Sequence, residues 1–115
     1  MTDPHTVFGQ AVPAQLAAHP DLAERVDAVL LVDIDGPDGG IWSIDLRRDH
    51  APPTVAPGPH PAAKVRVRLA AADFRDLMAG RQRWTDAFVR GKVRFEGDLV
   101  VALKLRNLLP ADGAG

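Results

Sequence analysis

The sequence predicts an α/β domain in which helices bracket a run of strands, and three patterns carry that expectation. Near the N-terminus Phe8, Val12 and Leu16 recur at i, i+4 and i+8, the spacing of one helix face. Through the middle, "IWSIDLR" and "KVRVRL" alternate apolar and polar residues, the period of a half-buried strand. After Asp98, "LVVALKLRNLL" returns to helical spacing.

In the first helix, Val7 to Ala18, Pro13 falls inside the pattern and implies a kink or the first turn of a shorter helix. "HPDLAERV" suggests a second short helix started by Pro20 and Asp21. From Ala28, "AVLLVDID" is a β-branched run ending at the turn "GPDGG". "IWSIDLR" then returns with Trp42, Ile44 and Leu46 on one face and Ser43, Asp45 and Arg47 on the other, which reads as an antiparallel hairpin. The stretch "HAPPTVAPGPHPAA" holds five prolines and allows at most a short edge strand.

"KVRVRL" turns Val65, Val67 and Leu69 inward and Lys64, Arg66 and Arg68 outward. "AADFRDLMAG" is a helix with Phe74, Leu77 and Met78 on one face and Gly80 to end it. "TDAFVRG" makes one or two helical turns, with Thr85 as N-cap and Gly91 at the far end. "KVRFEG" is the last strand, Val93 and Phe95 inward, and Asp98 caps the final helix. On that helix Val101, Ala102, Leu105, Leu108 and Leu109 gather on the sheet side, while Leu99 and Leu103 form a second stripe roughly opposite. A surface helix ordinarily has one apolar stripe, so the second calls for a ligand, a second subunit or another helix of the chain.

Composition narrows the function. At 115 residues the chain is expected to form one domain, residues 1–115, large enough to bury a core without staples. Fourteen basic and 15 acidic side chains give a net charge of −1 and a pI near 6.4, which weighs against a dedicated nucleic-acid binder. The absence of cysteine excludes disulfides, zinc thiolates and cysteine nucleophiles. No apolar run nears the roughly 18 residues of a membrane span, the N-terminus lacks a signal-peptide layout, and "ADGAG" is no peroxisomal address. A cytoplasmic protein without a stable membrane anchor is the expectation. Hydrophobic residues make up 46% of the chain but aromatics only 5%, so the interior is built from Ala, Val, Leu and Ile.

No set of residues points to catalysis, and no cofactor or metal is implied. "DIDGPDG" resembles a calcium loop only until the sixth and twelfth positions, which are Asp38 and Ile44 instead of glycine and a carboxylate. His5, His19, His50 and His60 fall in the tail, a turn and the Pro-rich loop, without ligand spacing. Ser43 is the one serine, mid-strand and without a nucleophile elbow. In "GKVRFEG" a strand rather than a helix N-terminus follows Gly91, so its glycines cradle no phosphate. Lys64, Arg66, Arg68, Lys92 and Arg94 would form a cationic stripe if their strands were neighbours, but no aromatic interleaves them and a solvated polar face accounts for them better. An enzyme would need a perturbed acid–base pair among Asp33, Asp45 and Glu96.

The order Asp73-Phe74, Leu77, Gly80, Ala87-Phe88, Gly91-Lys92, Glu96-Gly97-Asp98, Ala102 and Leu105 resembles the sterol-carrier (SCP-type) lipid-transfer domain family. "DIDGPDGGIWSIDLR" fits that family's first hairpin and "VF…LAAHPDLAERV" its opening helices, so the resemblance spans almost the whole chain. It implies an α+β sandwich: a five-stranded, mainly antiparallel sheet covered on one face by helices, with an apolar tunnel between. It also implies non-enzymatic binding and carriage of a fatty acid, acyl-CoA, sterol or similar lipid, with no nucleic-acid partner. The residues expected to line the tunnel are Phe8, Val12, Phe74, Leu77, Met78, Phe88, Leu99 and Leu103, with Trp84 near the mouth and Arg81 or Arg83 available for an anionic head. The alternative is an accessory or interaction subunit of the same fold, its pocket collapsed, that forms a homodimer or docks through the C-terminal helix.

Overall fold

A computed structural model describes residues 3–50, 52–105 and 108–109. The chain opens with a helical turn, α1 (Pro4–Thr6), capped by the Asp3 carboxylate on Thr6 N. A single π turn, Val7–Ala11, links it to α2 (Val12–Ala18), and Pro13 stands in the first turn of α2. Proline has no N–H and its ring crowds the carbonyl four residues back. The wide turn just before it, closed by Val12 N on Val7 O, absorbs that misfit. Helix α3 (Pro20–Val26) ends on Asp27 in the left-handed conformation, φ 45°.

Strands β1 (Val29–Asp35), β2 (Gly40–Asp45), β3 (Thr54–Pro57), β4 (Ala63–Ala70) and β5 (Val93–Gly97) form one sheet in the order β3-β2-β1-β4-β5. Three pairings are antiparallel and the β1–β4 pairing is parallel. The Pro-rich stretch contributes the edge strand β3, where the prolines meet no ladder requirement. Across the sheet the register lines up Val55, Ile44, Leu30 and Val65 in one row and Trp42, Val32, Val67 and Phe95 in the next. That apolar face carries α4 (Ala71–Met78), α5 (Trp84–Val89), α6 (Leu99–Lys104) and the N-terminal helices.

The core is centred on Phe8, which stacks on Trp42 at 4.9 Å and on Phe74 at 5.7 Å between ring centroids. Helix α4 buries Phe74, Leu77 and Met78 against the sheet, and Gly80 follows at φ 77°. Asp98 caps α6 by accepting from Val100 N and Val101 N. Gly97 sits at φ 103° where a Cβ would run into the Lys64 carbonyl oxygen, so a side chain there is excluded twice over. Val101, Ala102, Leu105, Leu108 and Leu109 are buried, but α6 ends at Lys104, and Leu108 and Leu109 reach the core from a turn rather than from the longer helix expected to run to Leu109. Arg106 and Asn107, part of the same expected helix, lie outside the described residues.

Two expectations are corrected. Helix α5 begins at Trp84 with Arg83 as N-cap, not with Thr85, and no side chain caps it. Trp84 packs against the core, and that seat sets where the helix starts. On the polar face of the sheet Lys64, Lys92 and Arg94 are exposed and Arg66 and Arg68 half-buried, as a solvated face requires, but Asp33, Ser43 and Asp45 on that face are buried. The strand pattern shows which way they point but not the partners that meet them there. Ser43 Oγ donates to Gly58 O from the Pro-rich loop, and the Arg66 guanidinium donates to Asp33, with Arg68 Nε 3.6 Å away.

Candidate functional site

An apolar opening lies between α5, β5 and α6. It encloses about 50 Å3 and is lined by Trp84, Thr85, Phe88, Phe95, Ala102, Leu103 and Leu105. Each wall follows from local sequence. Alternation on β5 turns Phe95 inward beside α5, where its ring lies 5.0 Å from that of Phe88. Gly91, at φ 75°, ends α5 and turns the chain into β5. The Asp98 cap starts α6 so that Ala102 and Leu105 face the sheet and Leu103 reaches across the mouth.

Unpartnered polar atoms occur on Trp84, which lines the cavity, and on Gln82, two residues before it. Trp84 Nε1 and both amide atoms of neighbouring Gln82 are buried without a hydrogen-bond partner. An unpaired buried donor costs about 1–3 kcal/mol. Arg81 is held by Asp76 at 3.0 Å, whereas Arg83 is exposed and has no carboxylate within ion-pair distance among the described residues.

The nine residues expected to line a site fall in three places. Trp84, Phe88 and Leu103 come together at the cavity. Leu99 lies one turn before Leu103 on α6 and is 47% exposed. Phe8, Val12, Phe74, Leu77 and Met78 are buried in the packed core between helices and sheet. Their spacing marks an inward face, which a core and a tunnel share, so spacing alone does not separate the two. Thr85, Phe95, Ala102 and Leu105 are lining residues outside that group of nine; Phe95 was legible only as inward on its strand.

A second cleft, of about 430 Å3, opens at the other end of the sheet. It has an apolar floor of Leu16, Ala17, Pro20, Ala23, Leu46 and Pro53 and a charged rim of Glu24, Arg47 and Arg48. The rim is committed to the fold. Arg47 binds Asp45 through Nε at 3.0 Å and Nη2 at 2.8 Å, and Arg48 donates to the Glu24 carbonyl at 2.7 and 3.1 Å. The Arg47 hydrogen bonds hold the Asp45 carboxyl down to about 2, the reverse of what a general acid near neutrality needs. Among the described residues no cluster of His, Asp and Glu is arranged to hold a metal ion.

Helices laid on one face of a five-stranded mixed sheet, with an apolar cavity at their junction, define an α/β sandwich of the sterol-carrier type. The chain belongs to the SCP-2 sterol transfer family, whose model matches residues 9–110. It is similar to "Non-specific lipid-transfer protein-like 1" of Caenorhabditis elegans, 26% identical over 105 residues that cover 90% of this chain and 87% of that protein. It is also similar to "Hydroxysteroid dehydrogenase-like protein 2" of Homo sapiens, 31% identical over 90 residues. That match covers 77% of this chain but 21% of the human protein, so the chain spans about a fifth of such relatives. In fold it is similar to palmitated SCP2L2 from Aedes aegypti, with a TM-score of 0.72, 24% identity and 90% of each chain covered.

Proposed function

We propose that this protein binds and carries an apolar lipid, such as a fatty acid, acyl-CoA or sterol, without chemical conversion, and that the ligand enters between α5, β5 and α6. The observation that carries this reading is the apolar cavity at Trp84, Phe88, Phe95 and Leu103. An acyl chain takes the apolar wall, and its carboxyl or carbonyl oxygen accepts from Trp84 Nε1, with Arg83 close by in sequence for an anionic head. Leu99 rims the mouth, and Phe8, Val12, Phe74, Leu77 and Met78 form the deep wall that a longer chain reaches. Family membership and the palmitated relative of similar fold support the ligand class. Among the described residues no helix is long and apolar enough to cross a membrane.

The cavity is small for such cargo: about 50 Å3, against some 300–1,000 Å3 for sites that enclose whole ligands. Binding therefore widens it, by outward movement of α5 and α6. Each methylene transferred from water contributes about 0.8 kcal/mol towards that opening.

Native mass spectrometry of the purified protein, followed by solvent extraction and titration with a fluorescent fatty acid, tests the reading. We expect saturable uptake, its loss on Leu103→Asp, and unchanged uptake on Ala17→Trp, which fills the second cleft instead. Unchanged uptake by a folded Leu103→Asp protein removes α6 from the site, and loss of uptake on Ala17→Trp moves the site to the α2–α3 cleft. The small volume also favours one competing reading, an accessory subunit with a collapsed pocket that docks or dimerises through α6. A protein that takes up no lipid but forms a dimer dispersed by Leu103→Asp is that subunit.

A further inference from the structure

We propose that the cleft outside the carboxyl ends of β1 and β4 binds a small phosphate ester that carries hydroxyl groups, such as a sugar phosphate, at a site separate from the lipid cavity. The cleft measures about 320 Å3 and is walled by Arg68, Lys92, Arg94, Asp35 and Asp73. It shares no lining residue with the apolar cavity at Trp84 or with the cleft beside α2 and α3. Its position follows from the sheet. Strands β1 and β4 are the parallel pair, and they end side by side at Asp35 and Ala70, where β4 runs into α4. In open α/β sheets the crevice beyond the carboxyl ends of parallel strands is where ligands bind.

The side chains define the chemistry. Antiparallel register sets Arg68 directly opposite Arg94, and both line the same cleft. Like charges in that relation weaken a sheet, and an anion shared between them removes the repulsion. Arg94 is exposed and has no carboxylate within ion-pair distance among the described residues. Arg68 Nε stands 3.6 Å from Asp33, too far for a hydrogen bond, and that carboxylate already accepts from Arg66. Lys92 is the most committed of the three, 3.8 Å from Asp73. Two neighbouring guanidinium groups offer planar, paired donors that match the oxygens of a phosphate. Asp35 and Asp73 set the other half of the ligand. Ionised carboxylates only accept hydrogen bonds, so they disfavour a bare anion and suit hydroxyl groups that donate to them.

Isothermal titration calorimetry at constant ionic strength, with ribose 5-phosphate, inorganic phosphate and ribose as probes, tests the site. Ribose 5-phosphate should saturate one site, about tenfold or more tighter than inorganic phosphate, with no detectable binding of ribose. Arg94→Gln should weaken ester binding about tenfold. Asp35→Asn should weaken the ester yet strengthen inorganic phosphate, a split that a damaged fold does not produce. Arg90→Gln, which removes an exposed arginine outside the cleft, should leave both affinities unchanged. No saturable ester binding, equal binding by folded Arg94→Gln, or an equal loss in Arg90→Gln overturns the site. Inorganic phosphate that binds as tightly as the ester overturns the hydroxyl-bearing ligand. Uptake of fluorescent fatty acid should be the same in Arg94→Gln as in the parent. A protein that binds the ester but takes up no fatty acid upholds this site and overturns only the carriage reading.

Discussion

Asp45 keeps only 12% of its side chain exposed on the outer face of β2, a position a lone carboxylate would not hold. Its tenancy depends on Arg47, two residues on, which donates from its backbone N at 3.1 Å as well as from two guanidinium nitrogens. The pair holds the folded-state carboxyl at about 2, below its usual 3.8. Its stabilisation is therefore fully present above pH ~4, shrinks as the pH falls between ~4 and ~2, and is gone below that. Asp45→Asn should cost roughly 1–2 kcal/mol at neutral pH, after discounting for partial solvent screening, and almost nothing near pH 2. Urea unfolding at a series of pH values measures this, and a gap that stays constant into acid would contradict it. Alternation alone showed that Ser43, Asp45 and Arg47 share a face. It did not show Ser43 and Asp45 buried there, because the loop that meets Ser43 arrives from fifteen residues away, at Gly58.

At the scale of the element, what was legible was what local chemistry decides. Gly80 and Gly91 sit at positive φ at helix ends, and Asp98 caps α6, as residue type alone implied. Asp98→Ala should therefore cost about 1 kcal/mol in chemical denaturation, with Asp98→Asn close to neutral because Asn accepts the same two N–H bonds. An alanine variant as stable as the parent would mean that α6 is held by packing alone. The π turn was not legible, since one wide turn of five residues, Val7–Ala11, leaves the apolar spacing around it nearly intact. The start of α5 was misplaced for a different reason. No capping side chain marks it, and the seat of Trp84 in the core decides instead.

At the scale of the molecule, alternation assigns faces but not neighbours, so the parallel pairing of β1 with β4 came into view only with the fold. The same limit applied to the site. Phe8, Phe74 and Leu77 share an inward apolar pattern with Phe95, yet the first three are packed together and Phe95 borders a cavity. That division has a dynamic consequence. The central strands β1 and β4 are paired on both sides, whereas α5 and α6 are six residues each and carry the exposed apolar side chains. Segments with short helices and few buried groups open at the lowest free-energy cost. If cargo enters by parting α5 from α6, their amides should exchange with solvent well before those of β1 and β4 in the free protein. Saturating fatty acid should slow exchange selectively through residues 84–104, and at a hundredfold excess over Kd it should add about 2.7 kcal/mol of stability. Hydrogen–deuterium exchange followed by mass spectrometry reads both effects. Protection appearing instead in α2 and α3 would place the ligand in the larger cleft beside Leu16 and Leu46, where the charged rim rather than the apolar mouth would control entry.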